Sequence, residues 1–214
     1  MNRAILLCAA AAASLSLAAC NKNKAANTAD NATNTASSMN PGQSEPVNKA
    51  QDAMGAAVGT TSAATAGSHD TGAFVSNAAQ SDMYEIQAAK MAEQRSKNPE
   101  VKSFAKMMVT DHTKLESEMK PLITAAGQTP PADLDQRRKG FLDNLKAAPD
   151  ADFDKTYIDQ QVSAHDEALT LMKGYAANGS DAGLKAAAGK AVPIIQKHSD
   201  MAKQIQAKLS AAKK

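Results

Sequence analysis

The chain has 214 residues, of which 43 % are hydrophobic but only 3 % aromatic and none tryptophan, and its net charge is +2. An apolar content drawn mostly from alanine, with leucine, methionine and valine behind it, packs between close helices and gives little to a sheet, where branched and aromatic side chains are favoured. Basic residues are interspersed with acidic ones, so there is no electrostatic footprint for nucleic acid.

Met1-Asn2-Arg3 is a short positive start, and residues 4–19 form an uncharged apolar run. That run is shorter than the roughly 20 residues a membrane span needs, and it suits an export signal. It ends in Leu17-Ala18-Ala19-Cys20, which resembles the lipobox of bacterial lipoproteins. The resemblance implies a signal peptide over 1–19 and a lipid on the Cys20 thiol. The expected location is then the cell envelope, facing the periplasm and held to the membrane through the lipid. Asn21, in place of Asp, fits the outer membrane. Cys8 lies inside the apolar run and would be lost on processing, leaving one cysteine and no intramolecular disulfide.

Residues 20–72 are Asn, Ala, Ser, Thr, Gly and Lys in loose repetition. Little there can be buried to offset ordering entropy, so the segment is expected to be a flexible tether. It has room for a short helix around 47–58, and His69 is expected in solvent.

From residue 73 to 212 a 3.6-residue period takes over and predicts a helical domain. A first helix is expected over 73–97. Asn98-Pro99-Glu100 reads as cap, first helical residue and first-turn acid of a second helix reaching 126, where Gly127 stops it. Residues 128–151 form a connection with a short helix around 134–147. A third helix follows to 177, then the tight joint Asn178-Gly179-Ser180 and a fourth helix over 181–209. Pro121 and Pro193 fall inside helices, where each removes one ladder hydrogen bond.

Two hairpins joined by one long crossover match the ferritin-like antiparallel four-helix bundle; an up-down-up-down bundle needs only short loops. The stretch MMVTDHTKLESEMK at 107–120 resembles QQVSAHDEALTLMK at 160–173, which makes His112 and His165 equivalent.

Each long helix places one coordinating side chain in its apolar stripe, near its midpoint. His112 falls among Val101, Phe104, Met108, Leu115 and Met119. His165 falls among Ile158, Val162, Leu169 and Met172, and His198 among Leu184, Ala188, Ala191, Ile195, Ala202 and Ile205. Glu85 shares a face with Phe74, Ala78, Ser81, Ala88 and Ala92. Three imidazoles and a carboxylate at one level make a first shell for a divalent Zn, Cu, Fe or Mn ion. Asp111, Asp166 and Gln161 are expected to take up ring N–H groups. The alternative is a metal-free polar layer of the same four residues that sets helix register, in an envelope interaction or stress-protective module. A di-iron centre is disfavoured, because Val109, Val162 and Ile195 stand three residues before the histidines where a Glu would be needed.

No GxSxG, Cys–His pair or Gly-rich phosphate loop is present, so no catalytic residue is assigned. The methionines are read as core filler and Arg137-Arg138-Lys139 as solvated charge.

The stretches FVSNAAQSDMYEIQAAKMAEQ, VKSFAKMMVTDH, FDKTYIDQQVSAH and AVPIIQKHSDMA, in this order, resemble the DUF4142 family of bacterial exported proteins. The resemblance implies export and a ferritin-like fold, and it supplies no substrate. It places Glu85, Asp111-His112, His165 and His198 at the family's pattern positions. Ala164 stands where the family's second Asp is expected.

Overall fold

The computed structural model describes residues 45–212, and among these it holds six α-helices, one 3₁₀ turn and no strand. The helices are α1 (Glu45–Ala64), α2 (Thr71–Arg95), α3 (Pro99–Ala125), α4 (Gln136–Ala147), α5 (Asp150–Asn178) and α6 (Ala182–Ala211), with the 3₁₀ turn at Ala66–Ser68. The expected signal peptide, Cys20 and the tether up to residue 44 lie outside the described residues. Among the described residues no helix is long and apolar enough to cross a membrane.

The helix starts follow from side-chain caps. Asp70, Asn98, Asp135 and Asp181 accept hydrogen bonds from the backbone N–H groups of Ala73, Glu100, Arg138 and Leu184. Each satisfies one donor that the first helical turn leaves unpaired. α5 starts after Pro149 without a side-chain cap, and Asp150 and Asp152 in its first turn face the positive end of the helix dipole. α3 ends at Gly127, whose φ of 68° suits the residue without a Cβ; Gly127 and Gln128 donate back to the carbonyls of Thr124 and Ile123. Both prolines, Pro121 and Pro193, are accommodated within continuous helices.

α2 packs against α3 and α5, and α6 packs against α5 and α3. Polar contacts at the ends fix the directions. Arg95, the last residue of α2, donates to the carbonyls of Leu145 and Ala148 and to Asp150 at the start of α5. Lys208, near the end of α6, meets Glu100 in the first turn of α3 at 2.7 Å. Thr71, at the start of α2, bonds Tyr175 near the end of α5. Neighbouring helices therefore run antiparallel.

The four Phe and three Tyr of the chain are all buried. They divide into two apolar clusters, one around the stacked rings of Phe74 and Tyr175, the other around Tyr84, Phe104, Phe153 and Tyr157. Each fully buried ring contributes on the order of 1.5–3 kcal/mol, which offsets the thinness of an alanine-rich core.

The tether expected through residue 72 is corrected from residue 45 onward. α1 lies on α4 and α5 and buries Gly55, Gly59 and Ala63. A Cβ on Gly55 would meet the Phe141 ring at 2.7 Å, and one on Gly59 would collide with the Glu167 carboxylate. The small residues that make this segment look like a linker are what bring the helix this close.

The reading of Arg137 and Arg138 as solvated is also corrected. Both guanidinium groups pair with Glu167 at 2.8 Å, and Arg138 is 3 % exposed. Under α1, Asp52 accepts from Asn144 and Gln160, and Gln160 in turn accepts from the Tyr84 hydroxyl. Burial raises the Asp52 carboxyl to about 6, against the hydrogen bonds from Gln160 and Asn144.

Candidate metal centre

The period that predicted inward histidines holds. His112, His165 and His198, on α3, α5 and α6, are 3 %, 1 % and 0 % exposed. Their ring centroids lie 6.0 Å (112–165), 5.5 Å (112–198) and 5.6 Å (165–198) apart. One nitrogen from each ring lies within 4.8 Å of those of the other two.

Each ring is anchored through one nitrogen. His112 donates its Nδ1–H to Asp82 at 2.7 Å, and His198 donates Nε2–H to Asp111 at 2.9 Å. His165 donates Nδ1–H to the Gln161 main-chain carbonyl at 2.8 Å. The remaining nitrogens, His112 Nε2, His165 Nε2 and His198 Nδ1, are buried and have no hydrogen-bond partner. A neutral imidazole with one nitrogen donating presents a lone pair on the other, and the anchoring partner decides which nitrogen that is.

The electrostatics separate the three rings. Burial pushes His165 down to about 3, helped by the neighbouring His112, so this ring is neutral at any ordinary pH. Burial also lowers His198, with the Asp111 hydrogen bond opposing it in part. For His112 burial acts downward as well, but the Asp82 hydrogen bond and charge outweigh it, and its pKa stands above 6.5.

Glu85 is as buried as the rings, at 1 % exposed, but it does not share their spacing. Its Oε1 lies 3.9 Å from His165 Nδ1, the nitrogen already committed to Gln161, and its Oε2 has no hydrogen-bond partner. Burial raises its carboxyl to about 7, with the attraction of His112 working against the rise. Of the four residues expected, three imidazoles are thus grouped so that they could hold an ion, with a buried carboxylate beside one of them.

Of the expected supporting residues, Asp111 takes a ring N–H, on His198. Gln161 does so through its backbone, while its side-chain atoms are buried without hydrogen-bond partners. Asp166 reaches no ring; it is exposed and pairs with Lys203 at 2.8 Å. A residue next to an inward one is turned about 100° round the helix. For Asp111 that turn leads to His198, and for Asp166 it leads to Lys203. The residue missed from sequence is Asp82, whose signal was its place three before Glu85, on the same face of α2. His69 is exposed and bonds its neighbour Ser68, away from the cluster.

The family model "Domain of unknown function (DUF4142)" matches residues 56–205, beginning inside α1 and ahead of the domain start expected at 73. Comparison with curated proteins and with solved structures gives no match.

Proposed function

The chain belongs to the DUF4142 family, and from its own residues we propose that it binds one divalent transition-metal ion through His112 Nε2, His165 Nε2 and His198 Nδ1. The observation that carries this reading is the set of three buried ring nitrogens left without partners while the opposite nitrogen of each ring is held. Leaving a buried acceptor unpaired costs about 1–3 kcal/mol. Three such rings, each bringing a nitrogen within 4.8 Å of the other two, would be matched by one ion. With Zn–N bonds of about 2.0–2.1 Å in a tetrahedral site, ligand nitrogens stand roughly 3.4 Å apart. Nitrogens within 4.8 Å of one another need to close by no more than roughly 1.4 Å.

Three neutral imidazoles without a thiolate suit Zn, Cu, Fe or Mn. Asp82 and Asp111 would orient two of the rings and raise their basicity, as carboxylates behind metal-bound histidines do. Glu85, 3.9 Å from His165 Nδ1, would add a negative charge beside the rings when ionised. The chemistry this set supports is binding and buffering of a metal.

The setting is that of an exported lipoprotein held by a lipid on Cys20, on the periplasmic side of the envelope and most consistent with the outer membrane. The tetrapeptide Leu17-Ala18-Ala19-Cys20 after an apolar run supports this. Replacing Cys20 with Ser should move the protein from the membrane to the soluble fraction. The fold we propose for α2, α3, α5 and α6 is a ferritin-like four-helix bundle; their antiparallel packing and the crossover through α4 support it.

The test is the metal content of protein purified without added metal or chelator, followed by titration of the stripped protein with Zn or Cu. The reading expects one ion per chain, lost in His112→Ala, His165→Ala and His198→Ala. Absence of binding in the intact chain would leave the metal-free polar layer, with the surface as the working part.

A further inference from the structure

Between α2, α3 and α6 lies a cavity of about 870 Å³ that none of the three histidines lines. Its size falls among ordinary small-molecule sites, which run from roughly 300 to 1,000 Å³. The walls are mainly alkyl, with Ala79 from α2, Leu115 and Met119 from α3 and Ala187 from α6. The alanines that let these helices approach are too short to fill the space they enclose.

Glu116, Glu118, Lys120 and Lys190 lie exposed on its rim, and Glu118 pairs with Lys114, which leaves Asp82 as the one partly enclosed charge on the cavity. Asp82 is the most enclosed of the acids, with its side chain 15 % exposed, and its Oδ1 already accepts from His112. An ionised carboxylate has room for further donors, and in a partly dry site a charge-assisted hydrogen bond to it is stronger than on the surface. The Asp82 carboxylate would repel an anionic head, and a neutral head would not use its charge.

We propose that this cavity binds an amphiphile with an apolar body and a primary-ammonium head, the alkyl part lying along the alanine, leucine and methionine walls and the head donating to Asp82. The site shares Asp82 with the support of the proposed metal centre but none of its three imidazoles, and its test runs on metal-free protein, so failure of one reading leaves the other intact.

The experiment is equilibrium binding to the full chain, stripped of metal, of three probes below their micelle concentrations: dodecylammonium, dodecanol and dodecanoate. Dodecylammonium is expected to bind one per chain, at least about tenfold tighter than dodecanol, with dodecanoate weakest. Ala79→Phe and Ala187→Phe, which fill the cavity from two different walls, should each weaken dodecylammonium and dodecanol by about tenfold or more. Asp82→Asn, which adds no bulk, should abolish the preference for the cation while keeping the alcohol. Equal binding of the three probes, or unchanged binding in both filled variants, would overturn the proposal.

Discussion

Asp82 on α2 and His112 on α3 meet at 2.7 Å across the first helical hairpin, and that bond leaves His112 Nε2 facing no partner. Asp111 holds His198 in the same way from the neighbouring helix. The two carboxylates come from different helices, so each ring is fixed by a residue outside its own helix. His165 alone is fixed by the carbonyl one turn before it.

Asp82→Asn and Asp111→Asn should each lower metal affinity by about 10–100-fold, the usual effect of removing a carboxylate behind a metal-bound histidine. The three imidazoles stay in place, so stoichiometry should remain one ion per chain. Competition with a chromogenic chelator measures both quantities.

Metal affinity should fall as the solution is acidified, and His112 sets where. Its pKa stands above 6.5 because Asp82 stabilises the charged ring. Below that raised value His112 Nε2 carries a proton that the ion must displace, so affinity should drop about tenfold per pH unit. Above it the dependence should flatten. Asp82→Asn removes the group that raises the pKa and should move the break to lower pH.

Two of the buried groups that shape the pH response of the metal-free protein act with opposite sign. Glu85, raised to about 7 from 4.5, binds more protons folded than unfolded between those values, so its contribution to stability falls as pH rises through that window. His165, lowered to about 3 from 6.5, binds fewer protons folded than unfolded. Its contribution is present above 6.5 and is lost as pH falls toward 3. Glu85→Gln removes the first effect. With chelator present, that variant should be more stable than the parent at pH 8, by at most a few kcal/mol, and should lose the advantage near pH 4.5. Thermal melts at the two pH values decide it.

The inward phase of His112, His165 and His198 was legible because it depends only on helical period, and the Asn98 cap was legible because an Asn before a helix acts locally. The role of Asp82 was not, since it depends on which side chain α3 presents across the hairpin. Glu85 was legible as buried but not as lying behind the His165 ring, a difference of a few ångström that periodicity does not resolve. The expected short helix at 47–58 falls inside α1, but its full length and its packing were hidden by composition, because Gly55, Gly59 and their alanine neighbours look like tether until α4 and α5 are placed beneath them. Arg137 and Arg138 read as surface charge for the same reason: their partner Glu167 is 30 and 29 residues away.

α1 should therefore behave as part of the folded unit. Gly59→Leu drives a side chain into Glu167 and should destabilise the protein by about 1–3 kcal/mol or more, by overpacking and by disturbing the buried pairs with Arg137 and Arg138. A substitution at exposed Met54 should change stability by less than about 0.5 kcal/mol. Urea unfolding of the two variants compares them directly.

The most direct measurement is calorimetric titration of the stripped chain with Zn, run beside His165→Ala, whose ring is buried and held neutral. Tight binding of one ion per chain by the parent, and its loss in the variant with the helical content kept, is the result expected. A parent that takes up no ion, or a variant that binds as tightly as the parent, would contradict the three-imidazole centre.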